Sequence, residues 1–188
     1  MDRREAIKRT ALLMGGAVLG PTALGLLSGC RARPGIDWEP EFFTPAQAQL
    51  VTALAEIILP ADEESPGAAE LGVPAFIEQM LLHVHDEESR RRHLEGLEAF
   101  DATAGGRFLD LDPEARLLFA EEQNKRMIEW KNGNLPSELH FFRTMKELTL
   151  AGYFTTEIGA TQVLRYEPVP GNYDGCVPFE EIGKTWAV

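Results

Sequence analysis

The stretch "FFTPAQAQLVTALAEIILP", residues 42–60, decides the fold. Thr44 stands where a helix N-cap is expected, Pro45 takes the first helical position, and Gln47 lies where a capping box needs it. Four apolar residues behind this start recur at helical spacing on one face: Leu50, Leu54, Ile57 and Ile58. Pro60 then ends the run. The stretch therefore predicts an amphipathic α-helix.

Further segments repeat this punctuation and this apolar spacing. They begin near Pro74, Glu87, Asp112 and Pro136, and they end near Val84, Phe100, Gly133 and Gly152. A short helical turn is expected from Thr155 to Leu164. No segment shows the sustained apolar–polar alternation of a half-buried strand. The pattern predicts an all-α fold, a compact bundle of about five to six helices over residues 44–164, followed by an irregular tail, residues 165–188.

Composition narrows the class of protein. The 188 residues carry 18 basic and 30 acidic side chains, which gives a formal net charge of −12. Such an acid excess argues against nucleic-acid binding and against electrostatic attachment to anionic lipid. A hydrophobic share of 44% is ordinary for a globular domain, so these residues have enough apolar surface for a core.

The first thirty residues have the layout of an export signal. A basic segment with Arg3 and Arg4 precedes a weakly apolar, Gly-rich run. The string "DRREAIK" resembles the twin-arginine motif of a pathway that carries folded cargo. We therefore expect residues 1–29 to be a twin-arginine signal peptide and the protein to be exported to the periplasm.

The apolar run ends in Leu27-Ser28-Gly29-Cys30, which resembles a bacterial lipobox. In a lipobox the cysteine sulfur takes the lipid before cleavage, and the chains of a lipoprotein together anchor it stably to a membrane. We expect Cys30 to be lipidated and residues 30–43 to form a tether. The alternative is an uncleaved membrane anchor with an incidental cysteine, although its glycines and proline weaken a bilayer helix.

The tail, residues 165–188, lacks helical periodicity but holds several aromatic residues. They are Tyr166, Tyr173, Phe179 and Trp186. Structureless segments longer than ~12–15 residues are usually functional or disordered, and disorder normally comes with few aromatics. We expect the tail to lie along a surface, its own domain's or a partner's, with Tyr166, Tyr173 and Phe179 as partner contacts.

Cys176 lies inside this tail, in "VPGNYDGCVPF", residues 169–179. Lipidation of Cys30 would exclude a bond between the two cysteines, and a single cysteine in an oxidising compartment favours an intermolecular bond or a reactive thiol. A buried thiol packed as a small apolar group is the alternative. Both interpretations stay open at this point.

No residue pattern in the sequence forms a catalytic or cofactor-binding set. Gly-rich phosphate loops, C-x-x-C pairs and haem-attachment motifs are absent from it. His83, His85 and Asp86 raise the hypothesis of a metal site. Residues two apart on a helix point about 200° apart, however, so a solvated helix end is the favoured interpretation.

Several stretches taken together resemble a known family. They are "FFTPAQAQLVTALAEIILPADEESPGAAELGVPAFIEQML", "FFRTMKELTLAGYFTTEIGA" and "YEPVPGNYDGC", in this order. The chain resembles the gluconate 2-dehydrogenase subunit 3 family over roughly Phe42 to Cys176. Members are the small subunits of periplasmic flavin-dependent sugar and polyol dehydrogenases.

The resemblance implies a non-catalytic role. In this family the FAD and the chemistry belong to a large subunit of the glucose–methanol–choline type, which often passes electrons to a cytochrome c. The small subunit supplies the export signal and helps the large subunit to mature, and a lipid on Cys30 would add anchoring. With such a partner, Cys176 is expected to bond to a cysteine of the catalytic subunit. The alternatives are a stand-alone lipoprotein that binds a ligand or an envelope component, and an enzyme in its own right.

Overall fold

The computed structural model describes residues 38–169, 171 and 175–187. The candidate residues Arg3, Arg4, Cys30 and Tyr173 lie outside them. Among the described residues the α-helices are α1 (Pro45–Ile58), α2 (Val73–His83), α3 (Glu87–Thr103), α4 (Pro113–Glu129), α5 (Ser137–Phe154) and α6 (Phe179–Ile182). A 3₁₀ turn covers Phe108–Asp110 and a π-helical turn covers Gly159–Val163. The predicted all-α bundle is confirmed.

The helix starts follow from the capping residues in the sequence. Thr44 and Gln47 form the predicted capping box, each side chain accepting a hydrogen bond from the other residue's backbone N–H. Asp86 and Asp112 cap α3 and α4, and each accepts from a backbone N–H three residues on. These caps satisfy donors that would otherwise lack an intrahelical partner, so each helix begins where its cap stands.

α5 lies at the centre of the bundle and packs against α1, α2, α3 and α4. Its closest neighbour is α3, and Gly96 makes that approach possible. A Cβ at Gly96 would lie 2.6 Å from the Ser137 carbonyl oxygen and 2.7 Å from the Phe141 Cβ. An aromatic cluster fills the adjoining core, formed by Phe100, Phe108, Phe119, Phe141 and Phe142. Its tilted and edge-to-face contacts are the arrangements that aromatic rings prefer.

The segment that leads into α1 is held by a buried carboxylate. Glu78 on α2 is 1% exposed, and one of its oxygens accepts from the N–H groups of Phe42 and Phe43, at 2.8 Å each. The other oxygen accepts from the N–H of Glu41 at 3.1 Å. We call this arrangement the N-terminal clamp. It ties the backbone just before α1 to α2, because a buried charge is stable only when hydrogen bonds surround it.

His93 is a second polar residue inside the core. Its ring is 2% exposed and lies between Phe43 and Phe141, with ring centroids 6.1 Å and 4.9 Å away. Neither ring nitrogen has a hydrogen-bond partner in the described structure. Burial lowers the pKa of His93 to about 3, and the neighbouring His85 and His140 act in the same direction. His93 is therefore a neutral packing residue near the N-terminal clamp.

The structure differs from the sequence-based expectations in two places. In α4 the adjacent leucines Leu117 and Leu118, apolar residues that an amphipathic helix would be expected to bury, are 45% and 58% exposed, because α4 turns Ala120 and Gln123 to the core instead. The tail, expected to be irregular, contains α6, and backbone hydrogen bonds join its two ends. Among the described residues, no helix combines the length and the apolar character that a membrane span requires.

Candidate partner-binding surface

The tail folds back on itself so that its two ends meet. The Arg165 N–H donates to the Thr185 carbonyl at 2.8 Å, and the Ala187 N–H donates to the Arg165 carbonyl at 2.9 Å. These bonds form an isolated parallel bridge between Arg165 and Trp186. The Arg165 guanidinium also lies 4.3 Å from the centroid of the Trp186 ring, a cation–π contact. We call these contacts the latch, and residues 165–187, which they close, the tail loop.

Two further contacts lie beside the latch. The Arg165 guanidinium donates to the Ile182 carbonyl at 3.4 Å, and the Lys184 ammonium donates to the Gln162 carbonyl. Ile182 is the last residue of α6, so one arginine contacts both the end of that helix and the tryptophan beyond it. Since these partners lie 17 to 22 residues apart, the tail loop is closed by tertiary contacts rather than by a local turn.

The tail loop exposes large apolar side chains. Tyr166 and Phe179, which the sequence proposes as partner contacts, are 55% and 60% exposed, and Val169 is exposed as well. Trp186 is 43% exposed despite its contact with Arg165. Exposed apolar groups gathered in one segment mark interaction sites more often than scattered ones do. The third predicted contact, Tyr173, lies outside the described residues.

Cys176 is exposed on the tail loop. The alternative of a buried thiol packed as a small apolar group is therefore wrong. In the part of this loop that the structure describes, the side chains of Glu167, Glu180 and Glu181 are exposed. The surface thus combines a thiol, apolar side chains and negative charge.

A second exposed apolar surface lies on α4. Leu117 and Ile128 are separated by 11 residues, which is close to three full turns, so they lie on one face of the helix with Leu118 beside it. The surrounding exposed side chains include Glu114, Glu121 and Glu129. Sequence reasoning missed this surface because adjacent leucines in an amphipathic helix are normally taken as core.

The hypothesis of a metal site finds no support in the geometry. Among the described residues, no group of three or more histidine, cysteine, aspartate or glutamate side chains is placed to hold a metal ion. Asp86 serves as the N-cap of α3, and its hydrogen bonds to Ser89 lower the pKa of its carboxyl group. Asp86 therefore has a structural role at the helix start.

A cavity of about 510 Å³ lies beside the start of α5 and is lined in part by basic residues. Arg92 and Arg143 line it, but Arg92 pairs with Glu88 at 3.0 Å and Arg143 pairs with Glu147 at 3.8 Å. Burial lowers the pKa of His140, which also lines the cavity, and Arg143 and Arg92 add to this effect. Each arginine of the cavity therefore has a carboxylate partner, and the lowered pKa of His140 favours its neutral form.

Comparison with protein-family models matches residues 45–171 to one family, described as gluconate 2-dehydrogenase subunit 3. The chain belongs to the gluconate 2-dehydrogenase subunit 3 family. By family it is an accessory subunit of a dehydrogenase complex, and the resemblance seen in the sequence is confirmed. Comparison with curated proteins and with solved structures gives no match.

The match to the subunit 3 family covers the helical core and the first part of the tail loop. It extends from the first residue of α1, Pro45, to Gly171 inside the tail loop. Arg165 and Tyr166 fall within the matched range, whereas Cys176, Phe179 and Trp186 follow it. The helical core and the first part of the tail loop are therefore family features, and the closing half of the loop lies beyond the match.

Proposed function

We propose that the chain is the non-catalytic small subunit of a membrane-associated, flavin-dependent sugar or alcohol dehydrogenase of the glucose–methanol–choline type. The family match over residues 45–171 is the observation that carries this proposal. FAD and the oxidation chemistry would belong to the large subunit, and a cytochrome c subunit is a candidate electron acceptor. This chain would contribute export, maturation and anchoring of the catalytic subunit.

The proposed route of export is the twin-arginine pathway, read from Arg3 and Arg4. Because that pathway moves folded proteins, a single signal on the small subunit would export the assembled complex. Replacement of both arginines by lysine should leave this protein and its flavoprotein partner in the cytoplasm. Periplasmic dehydrogenase activity at the wild-type level in this variant would contradict the proposed route.

Anchoring is proposed to depend on Cys30. Lipid on its sulfur would hold residues 44–164 near the membrane through the tether, residues 30–43. A Cys30→Ala variant should lose fatty-acid labelling, and any exported protein should appear in the soluble periplasmic fraction. Normal labelling of this variant would show that the lipid is attached elsewhere.

Attachment to the catalytic subunit is proposed to involve the tail loop. Its exposed Tyr166 and Phe179 offer apolar contact area, and the exposed thiol of Cys176 is accessible to a second chain. An intersubunit disulfide would form as two thiols transfer two electrons and release two protons, with a periplasmic thiol–disulfide oxidoreductase as oxidant. Non-reducing electrophoresis of wild-type and Cys176→Ser complexes tests this bond directly.

The deciding experiment is purification of the full chain from its native host. The expected companion is a large flavoprotein, recognised by a flavin absorption spectrum and dye-linked oxidation of a sugar or alcohol. The isolated small subunit should show neither property. A flavin spectrum from the isolated chain would favour the alternative that it is an enzyme in its own right. A membrane-bound chain without a flavoprotein companion would favour the stand-alone lipoprotein.

A further inference from the structure

The latch joins two solvent-exposed residues and therefore contributes little to the folding of the helical core. Arg165 and Trp186 are both exposed, and the latch consists of two backbone hydrogen bonds and one cation–π contact. Exposed cation–π contacts and solvated hydrogen bonds are weak individually. Their effect is local. They bring the two ends of the tail loop together.

The residues between the latch positions are those that a partner would contact. Tyr166 follows Arg165 directly, and Phe179 opens α6, whose last residue, Ile182, accepts from Arg165. With the latch closed, both aromatic side chains belong to one closed loop. With the latch open, Phe179 and Trp186 would lie on a chain end attached only through residues 166–178.

We infer that the Arg165–Trp186 latch is a positioning device, which closes the tail loop before binding and presents Tyr166 and Phe179 together to the catalytic subunit. The inference rests on the proposed function for the identity of that partner. Arg165 and Trp186 act through the loop and need not contact the partner themselves. Their role is to lower the ordering cost of a long segment, because a loop closed in advance loses less conformational freedom on binding.

The charge of the tail loop defines the chemistry of the surface that receives it. Glu167 stands next to Tyr166, and Glu180 and Glu181 follow Phe179, so each of these two aromatic residues has a carboxylate neighbour in sequence. The complementary surface is an apolar groove with lysine or arginine side chains at its rim. Such pairing raises the association rate and makes it fall with increasing salt.

The experiment uses the full chain with a Trp186→Ala substitution and the flavoprotein that co-purifies with the wild type. Hydrogen exchange in the isolated chain should show faster exchange of the Arg165 and Ala187 amides, whose hydrogen bonds belong to the latch. The dissociation constant for the flavoprotein should rise about fivefold, measured under reducing conditions so that no disulfide contributes.

Two control variants separate positioning from direct contact. Phe179→Ala should weaken binding while leaving both amides protected, because it removes a contact and keeps the latch. Val84→Ala, at an exposed apolar position outside the tail loop, should change neither measurement.

The outcomes distinguish the inference from the function on which it rests. The inference is overturned if Trp186→Ala accelerates exchange without changing the dissociation constant, or if the two amides exchange as in the wild type. If the wild-type chain brings down no flavoprotein, the proposed function itself is wrong, whatever the amides show.

Discussion

The two ends of the described domain are held in opposite ways. At the N-terminal clamp, a carboxylate that is almost fully buried accepts three backbone N–H groups of residues 41–43. At the latch, an exposed arginine and a half-exposed tryptophan hold the end of the tail. The first arrangement lies inside the core that the helices share, whereas the second lies on its surface.

This difference separates folding from binding. Loss of the N-terminal clamp would leave buried polar groups without partners, which is costly anywhere in a protein. Loss of the latch would expose nothing that water cannot solvate. The N-terminal segment is therefore part of the fold, while the tail loop can open without unfolding the helical core. The same separation predicts how substitutions in the two regions will differ.

Glu78→Ala should cause the largest loss of stability, about 3 kcal/mol. Hydrogen bonds to charged groups contribute about 1.5–3 kcal/mol each, and three are lost here, although removal of a buried charge offsets part of the total. Urea unfolding of a fragment of residues 38–188 measures the change. Glu78→Gln is the matched control, since it keeps one oxygen for Phe42 and Phe43 and loses only the acceptor for Glu41. An equal loss in both variants would contradict the clamp.

His93 should make the region around the clamp sensitive to acid. Its folded pKa of about 3 lies below the unfolded value of 6.5, so the unfolded chain takes up the proton first as pH falls. The contribution of neutral, buried His93 to the free energy of unfolding is complete above pH 6.5 and is lost progressively as pH falls toward 3. Between pH 7 and pH 4 the free energy of unfolding should drop by about 2–3 kcal/mol from this group.

The comparison for this prediction is a His93→Phe variant. The side chain sits between Phe43 and Phe141, so a third apolar ring suits the site chemically. His85 and His140, which lie near His93, are unchanged in the variant, so the two proteins differ only at residue 93. A difference between pH 7 and pH 4 as large in the variant as in the wild type would exclude His93 as its source.

The helices were predictable because their signals are local. Thr44, Asp86 and Asp112 each cap a helix through a contact three residues away, and a sequence displays such pairs directly. The N-terminal clamp was not predictable, because Glu78 acquires its role from backbone 35 to 37 residues away. In the sequence it is one more glutamate on an amphipathic helix.

The candidate surface was predictable in part for the same reason. Aromatic content led to the prediction that the tail is a contact segment, and Tyr166 and Phe179 are exposed there. The pairing of Arg165 with Trp186 spans most of the tail and leaves no local pattern. Export and lipidation through Arg3, Arg4 and Cys30 stay predictions, since these residues lie outside the described structure.

A pair of glycine substitutions compares the core with the tail loop directly. Gly96→Ala should destabilise the domain by about 2 kcal/mol, because the new methyl group would overlap the Ser137 carbonyl and the Phe141 side chain between α3 and α5. Gly171→Ala should change stability by less than about 0.5 kcal/mol, since nothing lies within 4 Å of its Cβ position. Urea midpoints that fall equally in both variants would contradict the separation of the two regions.

Trp186→Ala should have the smallest effect on global stability, below about 0.5 kcal/mol, because its cation–π partner is exposed and the core does not depend on it. Its effect should instead be local. Limited proteolysis at low protease concentration should cut the tail loop of the variant faster than that of the wild type, while the helical core resists cleavage in both.

An Arg165→Lys variant keeps the positive charge but loses the planar group that lies over the ring, so it should resemble Trp186→Ala if stacking closes the loop. If the tail loop of Arg165→Lys is instead cleaved as slowly as that of the wild type, the two backbone hydrogen bonds of residue 165 are sufficient to hold the loop closed. The guanidinium is then dispensable.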